Sequence, residues 1–237
     1  MNINNTGGVT PSVNWTVLVS FTVANGVTFN GGNLTHTFTG AFTNNGTVTS
    51  SGTIRFAPAV MVPVKLSGTD FTSTGTVDFS GSGLIIFTGT PTSLQDVIIS
   101  NANTAGITPI SAWNVNGNFT ISSNAKYNAG SYSHIVGGNL TSNGTLNGET
   151  STFTLTSGTC LLNGSPETEF NHLVITGTTF ANTAFKVTGN FSNNGTFDGS
   201  NGTLVMSGGN NTFIDGTTSP TAIQHLIINK SGGASVL

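Results

Sequence analysis

The chain has 237 residues, more than half of which are Thr, Gly, Asn or Ser, and only 5% are charged, against about 25% in an ordinary globular domain. With five basic residues and a net charge of −3, it cannot make the many phosphate contacts that nucleic acids or anionic membranes require. Its hydrophobic content of 35%, including 16 Phe, predicts a folded chain and excludes general disorder. No apolar run approaches the roughly 18 residues of a membrane-spanning helix, so membrane insertion is not expected.

The N-terminal part, residues 1–29, contains the most continuous apolar segment of the chain, residues 13–23 (VNWTVLVSFTV). Its β-branched residues predict a strand, and we interpret residues 1–29 as an N-terminal strand region that could cap the repeats that follow. The first residues lack both the basic and the apolar region of a signal peptide. We therefore expect that any such peptide was removed or lay further upstream.

A first repeated phrase starts at residue 42. It consists of an aromatic residue or Leu, then Thr or Ser, two small polar residues, Gly, Thr and an apolar residue. Copies are FTNNGTV at 42–48, FTSTGTV at 71–77, LTSNGTL at 140–146 and FSNNGTF at 191–197, with a degenerate copy starting at Phe119. Their spacing predicts stacked units of about 21 to 29 residues. We expect the leading residues to stack one above another inside the coil: Phe42, Phe71, Phe119, Leu140 and Phe191.

Residues 57–64 (APAVMVPV) interrupt this pattern with Pro58 and Pro63. Proline has no N–H group to donate to a strand ladder, so both prolines should break it. We expect an irregular loop or an inserted turn at this place.

A second phrase lies between copies of the first. PTSLQDVIIS at 91–100 matches PTAIQHLIIN at 220–229 position by position, and FNHLVIT at 170–176 is a looser copy. Duplication explains this agreement better than compositional bias does, and the two phrases alternate along the chain.

Within both phrases, apolar residues alternate with Thr, Ser or Asn, as in strands with one buried face. Frequent Asn-Gly pairs tolerate the positive φ of tight bends, and no segment has the apolar period of a helix. These features predict an all-β fold, a right-handed parallel β-helix (β-solenoid) of roughly ten rungs with two or three short strands each. A β-sandwich would not explain so short a period. The repeat region should span residues 30–237, and because residues 235–237 fall partway through a unit, we expect it to be truncated at its C-terminus.

The run GNFSNNGTF at 189–197 and the HLxI strands at 172–175 and 225–228 carry a resemblance to known proteins. The chain resembles the secreted β-solenoid repeats of very large surface and adhesin-like proteins of the Bacteroidetes, which typically leave the cell through the type IX secretion system. The resemblance implies an extracellular or cell-surface location, with secretion machinery, surface glycans or neighbouring domains of the same protein as partners. We therefore expect a non-enzymatic structural or adhesive segment, a stalk or surface-binding module of a larger secreted bacterial protein.

Few residues are available for catalysis. Right-handed β-helices often host polysaccharide lyases and hydrolases, which need paired carboxylates, or a carboxylate and a metal with a basic residue. Glu167, Glu169 and His172 form the single local cluster of such groups, and we interpret it as a solvated loop before Phe170. Cys160 has no partner for a disulfide or a thiolate zinc site. We expect neither enzymatic activity nor a cofactor or metal, with a carbohydrate-binding or polysaccharide-degrading β-helix as an alternative.

His172, His225 and Asp96 occupy equivalent places in the second phrase. A metal site would need such groups in adjacent rungs, whereas the two histidines are about two rungs apart, so we interpret all three as solvated turn residues. His36 and His134 have no acidic neighbour in the sequence and are also expected to be exposed.

Thr-x-Thr runs at 35–39, 72–76 and 152–156 suggest a different function, because regular rows of Thr on a flat solenoid face can bind ice. The runs do not recur at one place in each unit. Ice binding is therefore an alternative, and ordinary outward-facing Thr is the preferred interpretation.

The second phrase also predicts an apolar stripe. Val97 and Ile99 correspond to Leu173 and Ile175, and to Leu226 and Ile228, in the other copies. If these residues point inward, strand alternation turns Ile98, Val174 and Ile227 outward on one face. Such a stripe could lie under a loop, dock a neighbouring domain or contact a secretion or surface partner, although scattered exposed apolar residues are normal on any protein.

Overall fold

The computed structural model describes residues 1–165, 168–218 and 221–237, and the regular elements in these ranges are all β-strands. The strands pair in parallel and wind into a coil of about eleven turns. Most turns contribute one strand to each of three faces, which we number in the order the chain visits them, beginning with Trp15–Val17. The predicted all-β solenoid is confirmed, with three strands per turn.

The strands fall into three groups, one for each face. The first face contains Trp15–Val17, Thr35–Phe38, Thr53–Phe56, Thr76–Phe79, Asp96–Ile99, Phe119–Ile121, Leu140–Ser142, Cys160–Gly164 and Thr178–Ala181. The second face contains Asn2–Ile3, Phe21–Val23, Phe42–Asn44, Val62–Lys65, Ile85–Gly89, Lys126–Asn128, Thr145–Asn147, Thr168–Phe170 and Ala184–Val187. The third face contains Thr28–Asn30, Thr47–Ser50, Asp70–Ser73, Asn114–Val115, Ser133–Val136, Thr152–Leu155, His172–Ile175, Phe191–Asn193 and Ile214–Asp215. Two long strands, Thr196–Gly208 and Ala222–Lys230, bend around a corner, so each begins on the first face and ends on the second.

Alternation along each strand places one set of side chains inside the coil, where apolar residues are buried and Phe is the largest contributor. Rings in neighbouring turns stack: the centroids of Phe21 and Phe42 are 5.4 Å apart with planes at 18°, and those of Phe56 and Phe79 are 5.4 Å apart at 14°. These distances are close to the strand spacing of about 4.8 Å. In these two pairs ring stacking and the main-chain ladder therefore reinforce each other, each pair adding about 0.5–1.5 kcal/mol beyond burial.

The leading residues of the first phrase do not form one column. Phe42 lies on the second face, Phe71 and Phe191 lie on the third, and only Phe119 and Leu140 are partners in register, on the first face. All five are buried. Their inward orientation is thus confirmed, but the prediction that they stack above one another is wrong.

Each copy of the first phrase forms a corner of the coil. The copies lie at different corners and do not mark one fixed position in each turn. FTNNGTV (42–48) carries the chain from the second face to the third, FTSTGTV (71–77) from the third to the first, and LTSNGTL (140–146) from the first to the second. A further copy, VTSSGTI at 48–54, makes the third-to-first corner one turn before residues 71–77. One local pattern therefore builds all three corners.

The third residue of the phrase caps its corner from inside. The Gly46 N–H donates to Oδ1 of Asn44 (3.1 Å), and the Gly195 N–H donates to Oδ1 of Asn193 (3.3 Å). Asn44 also donates from Nδ2 to the carbonyl oxygen of Asp70 in the next turn (2.8 Å). The buried amide thus bonds the corner to itself and to its neighbour, which satisfies polar groups that water cannot reach.

The glycine of the phrase is required by the close approach of successive turns. A Cβ atom on Gly46 would lie 2.2 Å from the carbonyl oxygen of Val27, and one on Gly75 would lie 2.1 Å from that of Gly52. At Gly195 the corresponding distance to the preceding turn is also 2.1 Å. The obstructing atoms belong to the main chain of a paired ladder, so they cannot move aside as a flexible side chain would.

Replacing Gly75 or Gly195 with Ala should lower the free energy of unfolding by about 2 kcal/mol or more, as in an overpacked core, because the methyl group forces two turns apart. Gly158 is the matched control, since no atom lies within 4 Å of its Cβ position. Gly158→Ala should change stability by less than about 0.5 kcal/mol. Urea denaturation measures all three, and equal effects would contradict the close-approach explanation.

The N-terminal region differs from the continuous strand that its composition suggested. Residues 18–20 turn a corner, so residues 13–23 contain two short strands, Trp15–Val17 and Phe21–Val23, on different faces. Residues 1–29 as a whole supply strands to all three faces and pair with the turn that follows.

The prolines of residues 57–64 behave differently from each other. Pro58 lies in a loop, as predicted, but Pro63 lies within the strand Val62–Lys65, in register with Ile86. Its missing N–H removes one donor, yet the buried residues on either side keep their partners in the next turn. The expectation that Pro63 breaks the ladder is therefore wrong.

Candidate functional site

The second phrase, like the first, marks a corner. The copy at 91–100 leads from the third face to the first, and the copy at 170–176 leads from the second face to the third. The described part of the remaining copy, 221–229, leads from the first face to the second. Residues at equivalent places in the phrase therefore occupy three different corners of the coil.

This placement separates the residues of the predicted apolar stripe. Ile98 lies on the first face, Val174 on the third and Ile227 on the second, and all three point outward. In their own columns, Ile98 stands opposite Asp78 and Val174 opposite Thr154. The predicted outward orientation of these side chains is therefore correct, but the prediction that they share one face is wrong.

Asp96 and His172 are partly exposed, and each caps the main chain of the next turn. The Asn118 N–H donates to Oδ1 of Asp96 (2.7 Å), and the Asn190 N–H donates to Nδ1 of His172 (3.0 Å). A carboxylate and an imidazole can replace each other here because both present an acceptor at the same point of the corner. These residues have a structural role that the sequence interpretation missed.

The same contact explains why a Gly-Asn-Phe segment follows the second phrase by one turn. The capped residues belong to the Gly-Asn-Phe segments 117–119 and 189–191, which stack on the second phrase one turn later. A Cβ atom on Gly117 would lie 2.4 Å from Oδ1 of Asp96, and one on Gly189 would lie 2.7 Å from Nδ1 of His172. Glycine in the Gly-Asn pair therefore leaves room for the capping side chain of the preceding turn.

Capping continues from turn to turn along this corner. The Asn139 N–H donates to Oδ1 of Asn118 (3.0 Å), and the Leu161 N–H donates to Oδ1 of Asn139 (2.8 Å). With Asp96 at its start, this row of side chains links four consecutive turns. The outer polar residues of the corner are thus part of the scaffold.

Replacing Asp96 or His172 with Ala should lower the free energy of unfolding by about 1 kcal/mol, since a main-chain N–H loses its partner. The exchanges Asp96→His and His172→Asp should recover most of that loss, because either side chain can accept the bond. His225→Ala is the control, as His225 is exposed on the second face and should have no effect. Thermal unfolding followed by circular dichroism compares these variants, and exchanges as damaging as alanine would contradict a shared capping role.

The prediction that His36 is exposed is wrong, because its side chain is fully buried. The Trp15 N–H, one turn earlier, donates to Nδ1 of His36 (3.2 Å), and Nε2 pairs with the carbonyl oxygen of Gly31 (3.0 Å). The two bonds require a proton on Nε2 and a lone pair on Nδ1, so they fix the neutral tautomer.

His134 is also buried, again contrary to expectation, and repeats this arrangement. The Trp113 N–H donates to Nδ1 of His134 (3.1 Å), and Nε2 pairs with the carbonyl oxygen of Ala129 (2.8 Å). The ring packs against Phe153 at 5.0 Å between centroids. Both tryptophans of the chain therefore precede a buried histidine by one turn.

A third internal repeat accompanies the two histidines. FNGGNLTH at 29–36 matches YNAGSYSH at 127–134, with aromatic, Asn, small, Gly and Thr or Ser residues at the same places. The glycines at the fourth place, Gly32 and Gly130, both have positive φ. This phrase was visible in the sequence, and the alternation of Thr35, His36 and Thr37 already places the histidine inward.

The burial of His134 predicts that acid destabilises the fold. Burial lowers the pKa of His134 below its ordinary value, and its bond to the Ala129 carbonyl opposes this only in part. The unfolded chain thus takes up a proton at higher pH than the folded chain, so stability should decline as the pH falls below about 6.5.

Urea denaturation from about pH 7.5 down to about pH 5, above the range of ordinary carboxylates, measures this decline. It should be shallower in His134→Phe, which cannot titrate, and unchanged in the control His225→Asn. An equally steep decline in His134→Phe would contradict the assignment.

The described carboxylate and thiol residues considered for catalysis or metal binding do not come together in one site. Glu167 lies outside the described residues, and Glu169 stands on the second face opposite Lys186, around a corner from His172. Cys160 is buried, and burial raises the pKa of its thiol. Within the described ranges, no three His, Cys, Asp or Glu residues lie close enough to hold a metal ion.

The three Thr-x-Thr runs do not share a face. Residues 35–39 follow the first face, residues 72–76 turn the corner from the third to the first, and residues 152–156 follow the third. On the first face, the outward column that begins at Thr35 reaches Asp96 after three Thr residues. The structure therefore does not assemble these runs into one Thr surface.

The fold assigns the chain to the parallel β-solenoids as an architectural class. No family model, curated protein or solved structure matches the chain. In the part of the chain that the structure describes, no helix is long and apolar enough to cross a membrane.

Proposed function

We propose that this chain is a non-enzymatic structural or adhesive segment, a stiff stalk or surface-binding module of a larger secreted bacterial protein. The observation that carries the proposal is the ladder of the first face, which runs unbroken from Trp15 through every turn to Ala222. Each turn of such a stack is bonded to its neighbours through this ladder, so bending the coil at the first face must stretch or compress main-chain hydrogen bonds.

Side chains add links between turns beyond the main-chain ladder. Asn44 donates across a turn at one corner, and the row from Asp96 to Asn139 connects four turns at another. On the first face, Asp78 lies between Arg55 (2.9 Å) and Ser100 (2.6 Å), which belong to the turns before and after it. Axial links of this kind favour a spacer that holds a fixed length.

The extracellular part of the proposal is supported by composition and by the resemblance of the repeated phrases. A surface of Thr, Ser and Asn with few charges is compatible with varied salt and pH, since exposed ion pairs contribute little and are screened. Type IX export, with secretion machinery, surface glycans or neighbouring domains as partners, is proposed from the resemblance alone.

Stiffness can be measured with spin labels at Thr35→Cys and Thr196→Cys in a Cys160→Ala background. These sites are separated by eight strand spacings on the first face, so the label distance should be about 40 Å. A single narrow distribution, unchanged between frozen samples prepared with and without moderate urea, is expected. A broad distribution centred well below this distance would contradict a stiff spacer.

The non-enzymatic part is tested separately by incubating the protein with a panel of plant and algal polysaccharides. No release of oligosaccharides is expected. Reproducible release that survives repurification of the protein would overturn this part of the proposal while leaving the stiffness measurement unaffected.

A further inference from the structure

A groove of about 490 Å³ runs along the corner between the first and second faces. It is formed by four consecutive turns, so its long direction follows the axis of the coil rather than the strands. The described residues that line it are small or uncharged polar, apart from one lysine: Ala102, Asn103, Thr104, Asn124, Ala125, Lys126, Asn143, Gly144, Thr145 and Ser165.

Small residues form the floor of the groove and keep it open. A Cβ atom on Gly144 would lie 2.2 Å from the carbonyl oxygen of Ala125, so position 144 cannot carry a side chain. One wall is held rigidly: Asn103 accepts the N–H of Ala105 (3.0 Å) and donates to the carbonyl of Ser82 (2.9 Å). The groove is therefore a fixed feature of the fold.

In contrast to Asn103, two other asparagines of the lining have free side chains. Asn124 and Asn143 lie at the same corner in adjacent turns. Both are exposed, and neither side chain makes a hydrogen bond to the described residues. Asn124 has φ of 64°, a conformation that Asn tolerates better than most residues. The two amides are about 4.8 Å apart along the axis, the spacing of neighbouring strands.

Lys126 supplies the one charge among the described residues that line the groove. Its stem packs over Gly106, where a Cβ atom would lie 3.0 Å from Cγ of Lys126. Glycine at position 106 thus makes room for the lysine stem, which belongs to the lining of the groove.

We propose that this groove binds an extended polysaccharide chain, with its sugar units following one another along the axis of the coil. Each free amide can both accept from and donate to neighbouring hydroxyl groups, which is the pattern that a sugar ring presents. An elongated groove with the same polar group repeated in successive turns suits a polymer better than a compact ligand. Lys126 adds a preference for chains that carry carboxylates, such as uronates.

The lining also sets the strength of binding. The described residues that line the groove include no aromatic side chain, so most of the affinity must come from hydrogen bonds exchanged with water, which contribute little each. We expect a dissociation constant of about 1 mM for a hexasaccharide. Useful attachment would then depend on many sugar units or many copies of the protein.

The test titrates the protein with a uronate hexasaccharide and with a neutral hexasaccharide of the same linkage, followed by the amide NMR signals. The uronate chain should bind, more tightly than the neutral chain, and shift the signals of residues that line the groove. Raising the salt concentration should remove this preference. Absence of binding by both chains, or shifts confined to another face, would overturn the proposal.

Variants assign the contacts. The double variant Asn124→Gly and Asn143→Ala should weaken binding at least tenfold; glycine is used at position 124 because it preserves the positive φ. The control Asn33→Ala, at an exposed asparagine of another corner, should bind as tightly as the wild type. Lys126→Ala should abolish the preference for uronate, whereas Lys186→Ala, on the second face outside the groove, should leave it intact. Equal binding by the double variant and the wild type would overturn the site, and neither result bears on the stiffness of the coil.

Discussion

The direct stacking of one turn's main chain on the next is the constraint on which the rest of this molecule depends. Parallel strands about 4.8 Å apart continue around corners where carbonyl oxygens of one turn occupy the space of a Cβ in the next, as at Gly46 and Gly75. Such packing leaves no room for a side chain at these glycine positions. It also brings equivalent outward positions together, so like charges would repel along a column. Abundant glycine and scarce charge both follow from this geometry.

Small polar residues have more than one purpose in this coil. Asn44 satisfies its own corner and the turn that follows, and Asp96 and His172 accept main-chain N–H groups that the strands leave unpaired. In an ordinary globular protein, residues of these types would be expected in solvated loops. Here they continue the ladder through the places where the strands end.

The sequence was sufficient to predict the class of fold, because alternation, Asn-Gly bends and short repeats all indicated short strands in a coil. It was not sufficient to predict the register. The first and second phrases were interpreted as marks of one place in each turn, whereas each encodes a corner that fits any of the three. That single error placed Phe42 and Phe71 in one column, and it placed Ile98 and Val174 on one face. The burial of His36 was missed for a different reason: the absence of an acidic partner was given more weight than the phase of its strand.

The interchangeable corners have a consequence for how such a chain can change its length. The smallest piece that can be copied or lost without shifting inward residues outward is one strand with its corner, a third of a turn. The copies of the second phrase at 91–100 and 170–176 occupy different corners, which is the outcome expected of duplications that respect this smaller module. A coil of this kind can grow by fractions of a turn, and each fractional insertion rotates everything beyond it by one face. Recombination in the gene could therefore move a surface feature around the axis while preserving its local structure.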